Sequence, residues 1–240
     1  MKAELTPCYI LHRRDYSETS LILEVFSREY GRINLVAKGA KRNKKQQGIN
    51  HSLYQIYNMS WVSKTELGTL TDIEIVSLPV SLKPELMMSG FYMNEIMLRL
   101  LHKHESHPEL FDSYDTAINR LINEVPEQIV LRYYEKILLQ SLGYGVILDH
   151  EVESGESLNV EKDYYYKFDF GPSLEFGNAE SGVTISGKTL LELDAETLFD
   201  SKNINQAKIL LRSILDQHLG EKPLASRDLY QAYMKNKKGV

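Results

Sequence analysis

The spacing of apolar and polar positions changes character near residue 80. Before it, apolar or β-branched runs lie at Tyr9–Leu11, Ser20–Phe26, Arg32–Ala37, Tyr54–Val62 and Leu67–Leu78. Turn signals at Asp15/Ser17, Tyr30-Gly31 and Ser63–Thr65 separate them. Five short strands in about eighty residues predict a small closed barrel of the OB type. After Pro79–Pro84 the apolar positions recur with a helical period. Helices are predicted from Pro84 to Leu101, from Pro108 to about Asn123, from Pro126 to Leu142 and from Gln206 to Leu219, with Gly143 and Gly220 as stops. Between them, Tyr164–Phe170 followed by Gly171-Pro172 reads as short β structure and loop. The pattern therefore predicts an α+β chain: a barrel over residues 1–80, then a mostly helical domain over 81–240 carrying an irregular β/loop insert at 143–188.

Composition narrows the class. With 240 residues, 42% hydrophobic and 25% charged, the chain can build a core, which excludes a disordered tail or a collagen-like repeat. No run reaches the roughly 18 apolar residues of a membrane span, and the opening Met1–Pro7 lacks a signal-peptide core, so a cytoplasmic protein without a membrane partner is expected. A single cysteine, Cys8, excludes an internal disulfide and a multi-cysteine zinc site.

Charge is unevenly distributed. The net charge is −5, yet residues 1–50 hold ten Lys or Arg against five acids, while residues 145–200 hold thirteen acids against Lys162, Lys167 and Lys188. Lys38–Lys45 packs five cations into eight residues after the third predicted strand. Such a run fits a nucleic-acid contact and a merely solvated loop equally well. Loops beside an OB barrel are where single strands bind, and Tyr54, Tyr57 and Trp61 stand nearby for stacking, although Trp61 fits the core better.

Catalytic motifs are missing. The chain has no phosphate-binding Gly-x-x-x-x-Gly-Lys-Ser/Thr loop, no His-Glu-x-x-His and no Gly-x-Ser-x-Gly. His102, His104 and His107 invite a metal reading, but on a helix the first two point about 200° apart, so no metal and no other cofactor is expected. A non-enzymatic protein is the better reading.

Four stretches, in order, carry a resemblance. Leu11–Ser20 runs into Phe26–Arg32 and Val36–Arg42; then come Gly90-Phe91-Tyr92-Met93-Asn94-Glu95, Leu142-Gly143-Tyr144-Gly145-Val146 and Gly220–Arg227. Together they resemble the RecO family of bacterial DNA repair proteins. The resemblance implies an N-terminal OB-fold, a helical domain and a recombination mediator that binds single- and double-stranded DNA and anneals complementary strands. It implies RecR as a partner and, indirectly, RecA, which is loaded onto DNA coated by single-strand binding protein (SSB), in a nucleoid-associated setting. Many relatives carry a four-cysteine zinc site in the insert, and this chain has no cysteine there. Relatives often have Leu-x-Pro-Phe after the basic loop, where this chain reads Asn50–Gln55.

Under this reading the DNA contacts are Arg13, Arg14, Arg28, Arg32, Lys38, Lys41, Arg42, Lys44 and Lys45, with Arg13 and Arg28 also able to pair with Asp15 or Glu29. The resemblance further implies that the C-terminal tail of SSB docks on the helical domain at Arg132. Spacing puts Lys136 on the same helix face, with Tyr133 and Ile137 in the adjoining row. The rival reading is a protein-interaction adaptor whose basic loop binds an acidic protein.

Overall fold

The computed structural model describes residues 2–41, 52–76, 82–175 and 181–238. Five strands, β1 (Lys2–Asp15), β2 (Leu21–Ser27), β3 (Gly31–Ala37), β4 (Ile56–Val62) and β5 (Leu67–Ile75), close into a barrel in the order β1-β2-β3-β5-β4. Antiparallel pairing runs throughout except between β3 and β5, which are parallel, and β4 returns to pair with the first half of β1. This is the OB-type architecture that the five-strand pattern predicts. Alternate residues of each strand point inward, so Cys8, Ile10, Leu23, Val25, Ile33, Leu35, Tyr57, Met59, Trp61 and Ile73 fill the interior. Strand β1 starts seven residues before the apolar run at Tyr9, because its first half serves as the partner of β4 and shifts register between Ala3 and Thr6.

Six helices follow among the described residues: α1 (Pro84–Leu100), α2 (Pro108–Ile122), α3 (Glu127–Ser141), α4 (Gly187–Asp194), α5 (Ser201–Leu219) and α6 (Ala225–Lys238). The sequence pattern misses α4 and α6 and starts α5 five residues late. Polar N-caps explain the starts: Ser186 accepts the amide of Thr189 for α4, and Asp200 accepts that of Lys202 for α5. His102 and His104 lie beyond the end of α1 rather than on it.

Contacts divide the chain into two compact units, Met1–Ile122 with Leu224–Val240, and Asn123–Pro223. In the first, α1, α2 and α6 join the barrel, although the sequence reading sets residues 81–240 apart as a helical domain. Tyr9 of β1 packs edge-on against Tyr114 of α2 at 4.9 Å between ring centroids and bonds Asp115 through its hydroxyl. Asn94 of α1 donates to the carbonyl of Leu11 at 2.8 Å and accepts from the hydroxyl of Tyr114 at 2.7 Å. Gly31 turns the chain at φ +65° where a Cβ would collide with the carbonyl of Glu105, so this turn requires glycine.

In the second unit, β6 (Asp163–Lys167) lies between β7 (Gly171–Ser173) and β8 (Gly182–Ser186). Tyr164, Tyr165 and Tyr166 are all buried, and the hydroxyls of Tyr164 and Tyr166 accept the amides of Asn159 and Ile147. The described residues of the insert thus hold a three-stranded sheet whose last strand leads directly into α4.

Candidate nucleic-acid interface

Hairpin geometry sorts the cations of the barrel by end. β1 runs out, β2 begins and β3 runs out at the same end, since Asp15 registers with Leu21 and Leu21 with Ala37. Arg13, Arg14 and Lys38 are exposed there. Lys41 joins them: its amide donates to the carbonyl of Thr19, its ammonium to the carbonyl of Ser17 at 3.0 Å, and it pairs with Asp15 at 2.8 Å. It therefore staples the β1–β2 turn to the chain leaving β3. Ala40, beside it, is buried in the barrel core, which anchors the root of the basic run. Arg42, Lys44 and Lys45 fall outside the described residues.

Arg28 and Arg32 belong to the opposite end. Arg28 grips Asp112 of α2 with two hydrogen bonds of 2.9 Å, which hold the Asp112 carboxyl below the usual range. Its hydrogen-bonded partner is thus Asp112, and Glu29 acts on it only through its charge. Arg32 donates to the carbonyl of Leu98 at the end of α1 at 2.5 Å, and its own carbonyl accepts the amide of His104. Both arginines tie the barrel to its helices, and they do not join the group at the β1–β2 end.

The three aromatics considered for stacking are interior. Trp61 and Tyr57 are fully buried, and Tyr54, buried against Phe91, fits only because position 90 is glycine. Trp61 is thus core, as its place in an alternating strand predicts. The aromatic at the cationic end is Tyr16, 58% exposed in the β1–β2 turn. A tyrosine between turn residues, with no alternation to carry it inward, is the signal that could have found it. The arrangement can grip a polyanion: exposed cations for phosphates, and an aromatic face for a base.

Helix α3 is the second place singled out by the sequence. An open strip of Arg132, Lys136 and Tyr133 is not what forms. Arg132 is fully buried and pairs with Glu135 at 2.6 Å; Tyr133 accepts the amide of Leu198; Lys136 donates to the carbonyls of Leu193 and Asp194 and pairs with Glu196 at 3.4 Å. The physical reason is that α3 is apolar on most of its surface and is covered on several sides, so its polar residues turn to partners inside. Lys136 acts as the cation at the C-terminus of α4.

Two nitrogens of Arg132, Nε and NH1, have no hydrogen-bond partner, which is costly for a buried charge. Helix α5 brings Lys208 and Arg212, one turn apart and half-buried, close enough for their charges to be felt. Burial first, then Arg212 and Arg132, hold the Lys208 ammonium below the ordinary lysine range. Three cations, Lys208, Arg212 and Arg132, stand against two carboxylates, Glu135 and Glu127, and Glu135 is already engaged by Arg132. Lys208 and Arg212 were missed by the sequence reading, because nothing local says that α5 lies over α3.

The comparisons with known proteins follow the same outline. Residues 1–79 match the family model described as Recombination protein O N terminal, and residues 82–228 match Recombination protein O C terminal. A protein named DNA repair protein RecO from Nitrosospira multiformis is 37% identical over 234 residues, covering 97% of this chain and 96% of the relative. Proteins of the same name from Nitrosococcus oceani and Methylococcus capsulatus are each 38% identical, covering 96% and 95% of this chain and 94% and 93% of theirs.

Proposed function

The chain belongs to the RecO family, and we propose that within DNA repair and recombination it acts as a mediator that holds DNA at the β1–β2 end of its barrel. The observation that carries this reading is the convergence of exposed Arg13, Arg14 and Lys38 with Tyr16 at one end, at the root of a run that continues with Arg42, Lys44 and Lys45.

Complementary strands repel through their phosphates. Cations that neutralise several phosphates lower that barrier and leave base edges free to pair, so annealing needs no bond made or broken by the protein. The contacts are to backbone, hence indifferent to sequence and open to single and double strands. In this reading RecR is the working partner, and RecA gains access to strands that SSB covers.

Docking of the acidic SSB tail belongs to the same proposal. Its place is the face where α5 packs on α3, with half-buried Lys208 and Arg212 on α5 and buried Arg132 on α3.

The test is the salt dependence of binding to plain oligonucleotides. Replacing Arg13, Arg14 and Lys38 together with Ala should reduce the slope of log affinity against log salt by about 2 to 3, whereas Arg28→Ala should leave it unchanged. An unaltered slope in the triple variant, or binding that ignores salt, overturns the reading in favour of the adaptor.

A further inference from the structure

Helix α4 buries Leu190 and Leu193 and leaves its other side at the surface. Lys188, Leu191, Glu192 and the capping residue Ala195, at i, i+3, i+4 and i+7, share that outer face. The turn at 159–162 forms a wall beside it. The amide of Gly187 donates to the Lys162 carbonyl at 2.8 Å, and a Cβ on Gly187 would lie 2.1 Å from the Asn159 carbonyl oxygen, so only glycine lets the turn close on the start of α4. The hydroxyl of Tyr164 accepts the Asn159 amide at 2.9 Å, and the Asn159 side chain accepts the Glu161 amide at 2.8 Å, which fixes the wall in place. Between the two lies a groove of about 500 Å³, bounded by Val160 and Glu161 on one side, the outer face of α4 on the other, and Thr197.

Val160, Leu191 and Ala195 make the lining apolar, and Val160 is 51% exposed. Phe199, two residues beyond Thr197, is 90% exposed. The charge of the groove is net negative, with Glu161 and Glu192 against Lys188. Lys188 leans towards Glu192 at 3.8 Å, and Glu192 also accepts from Asn203 at 2.8 Å. The carboxylate of Glu161, by contrast, has no partner among the described residues. The surroundings have the same sign, since residues 145–200 hold thirteen acids against three lysines, of which Lys167 and Lys188 are paired. Such a surface repels nucleic acid and complements a peptide that is apolar on one side and carries Lys or Arg on the other. We propose that this groove docks a basic, amphipathic segment of a partner protein, with its apolar side chains on Val160, Leu191 and Ala195 and a cation on Glu161. Its charge is opposite to that of the β1–β2 end, so the two surfaces do not compete for one ligand.

The probe is a fluorescent amphipathic peptide of leucine and arginine, titrated by anisotropy into the full-length protein. Glu161→Lys should weaken it about tenfold or more, the loss expected when a charged hydrogen bond is removed. Glu156→Lys makes the same change of charge at an exposed position outside the groove and should leave affinity unchanged. Ala195→Trp, at an exposed position, fills the groove without altering charge and should abolish binding. A peptide with serine in place of leucine should not bind the unmodified chain. Equal losses from Glu161→Lys and Glu156→Lys, or normal binding by Ala195→Trp, would reveal attraction to bulk charge and overturn the proposal. Tight binding of the serine peptide would overturn it as well, and that result does not depend on how any variant folds. Sedimentation showing a dimer that Ala195→Trp dissociates would put a second copy in the groove and overturn the assignment to a partner protein. Oligonucleotide binding should be the same in Ala195→Trp as in the unmodified chain, and a parallel loss there would make this face part of a DNA surface and overturn the proposal.

Discussion

At the scale of single residues, the pair Arg132–Glu135 shows how a helical face count can be right and its environment wrong. Arg132 and Lys136 do share a row, but both are interior. Removing the arginine alone takes from the buried Glu135 its ion-pair partner, so Arg132→Ala should lower unfolding free energy by about 3 to 5 kcal/mol. Replacing both with apolar residues of similar volume, Arg132→Met with Glu135→Leu, should recover most of that loss, because no charge is then stranded. Urea unfolding of the two variants decides it, and a double variant no better than the single would show that the carboxylate is not the source of the cost. The exposed pair of Arg28 and Asp112 stands at the other extreme: screened by water, it should contribute little to stability despite its two-pronged geometry.

At the scale of elements, two of the family-like stretches are stitched to each other. Glu95, in Gly90–Glu95 on α1, accepts the amides of Ala225 and Ser226 at 2.9 and 2.8 Å and the Ser226 hydroxyl at 2.6 Å, where Gly220–Arg227 runs into α6. Tyr92 lies beneath the guanidinium of Arg227. The carboxylate acts as an N-terminal cap supplied from another helix. Burial acts to raise its pKa, but the bonds from Ser226 and Ala225 outweigh burial and hold it below its ordinary value of 4.5. A depressed folded pKa means that this attachment is fully present above the ordinary value and is lost as pH falls through the folded one. Protection of the amides in the first turn of α6, taken relative to their intrinsic exchange rates, should therefore fall on acidification below that value. Glu95→Gln should raise exchange at neutral pH and remove the acid dependence, and exchange in α6 that ignores both changes would refute the cap. The basic run after β3 is likewise an element with an anchor. Ala40 and the Lys41–Asp15 pair fix its root, so among single replacements of Lys41, Arg42 and Lys44 with Ala, that of Lys41 should change the salt slope least.

At the scale of the whole chain, the insert between Ser141 and α4 is held without cysteine. Glu151 accepts the amide and hydroxyl of Ser154 and the amide of Leu174; Glu153 takes Lys167 and Ser173; Tyr164 and Tyr166 clamp backbone amides. Burial pushes the Tyr166 hydroxyl up to about 12, so it stays protonated while it accepts from Ile147. The sequence offers this insert no thiolate, and we expect a purified protein with no stoichiometric zinc whose melting temperature is unchanged by a chelator. About one zinc per chain, with a melting temperature that falls on chelation, would count against this account. Among the described residues no helix is long and apolar enough to cross a membrane.

What the sequence determined by itself was local. Period-two and helical spacing placed five strands and four of the helices, turn residues placed their ends, and alternation put Trp61 in the core. These signals are written in neighbouring residues, so they survive without a partner element. Only the tertiary structure decided which cations remain exposed. Arg28 and Arg32 read like Arg13 and Arg14 in sequence, but Asp112 and Leu98, 84 and 66 residues away, engage the first two. The same holds for Arg132, whose surroundings depend on α5 folding back over α3, and for α6, whose polar sequence becomes a docked helix through Glu95. Periodicity reports that a face will be covered; what covers it depends on contacts between residues far apart in the chain, and those contacts fix both the charge left for a ligand and the groups left without a partner.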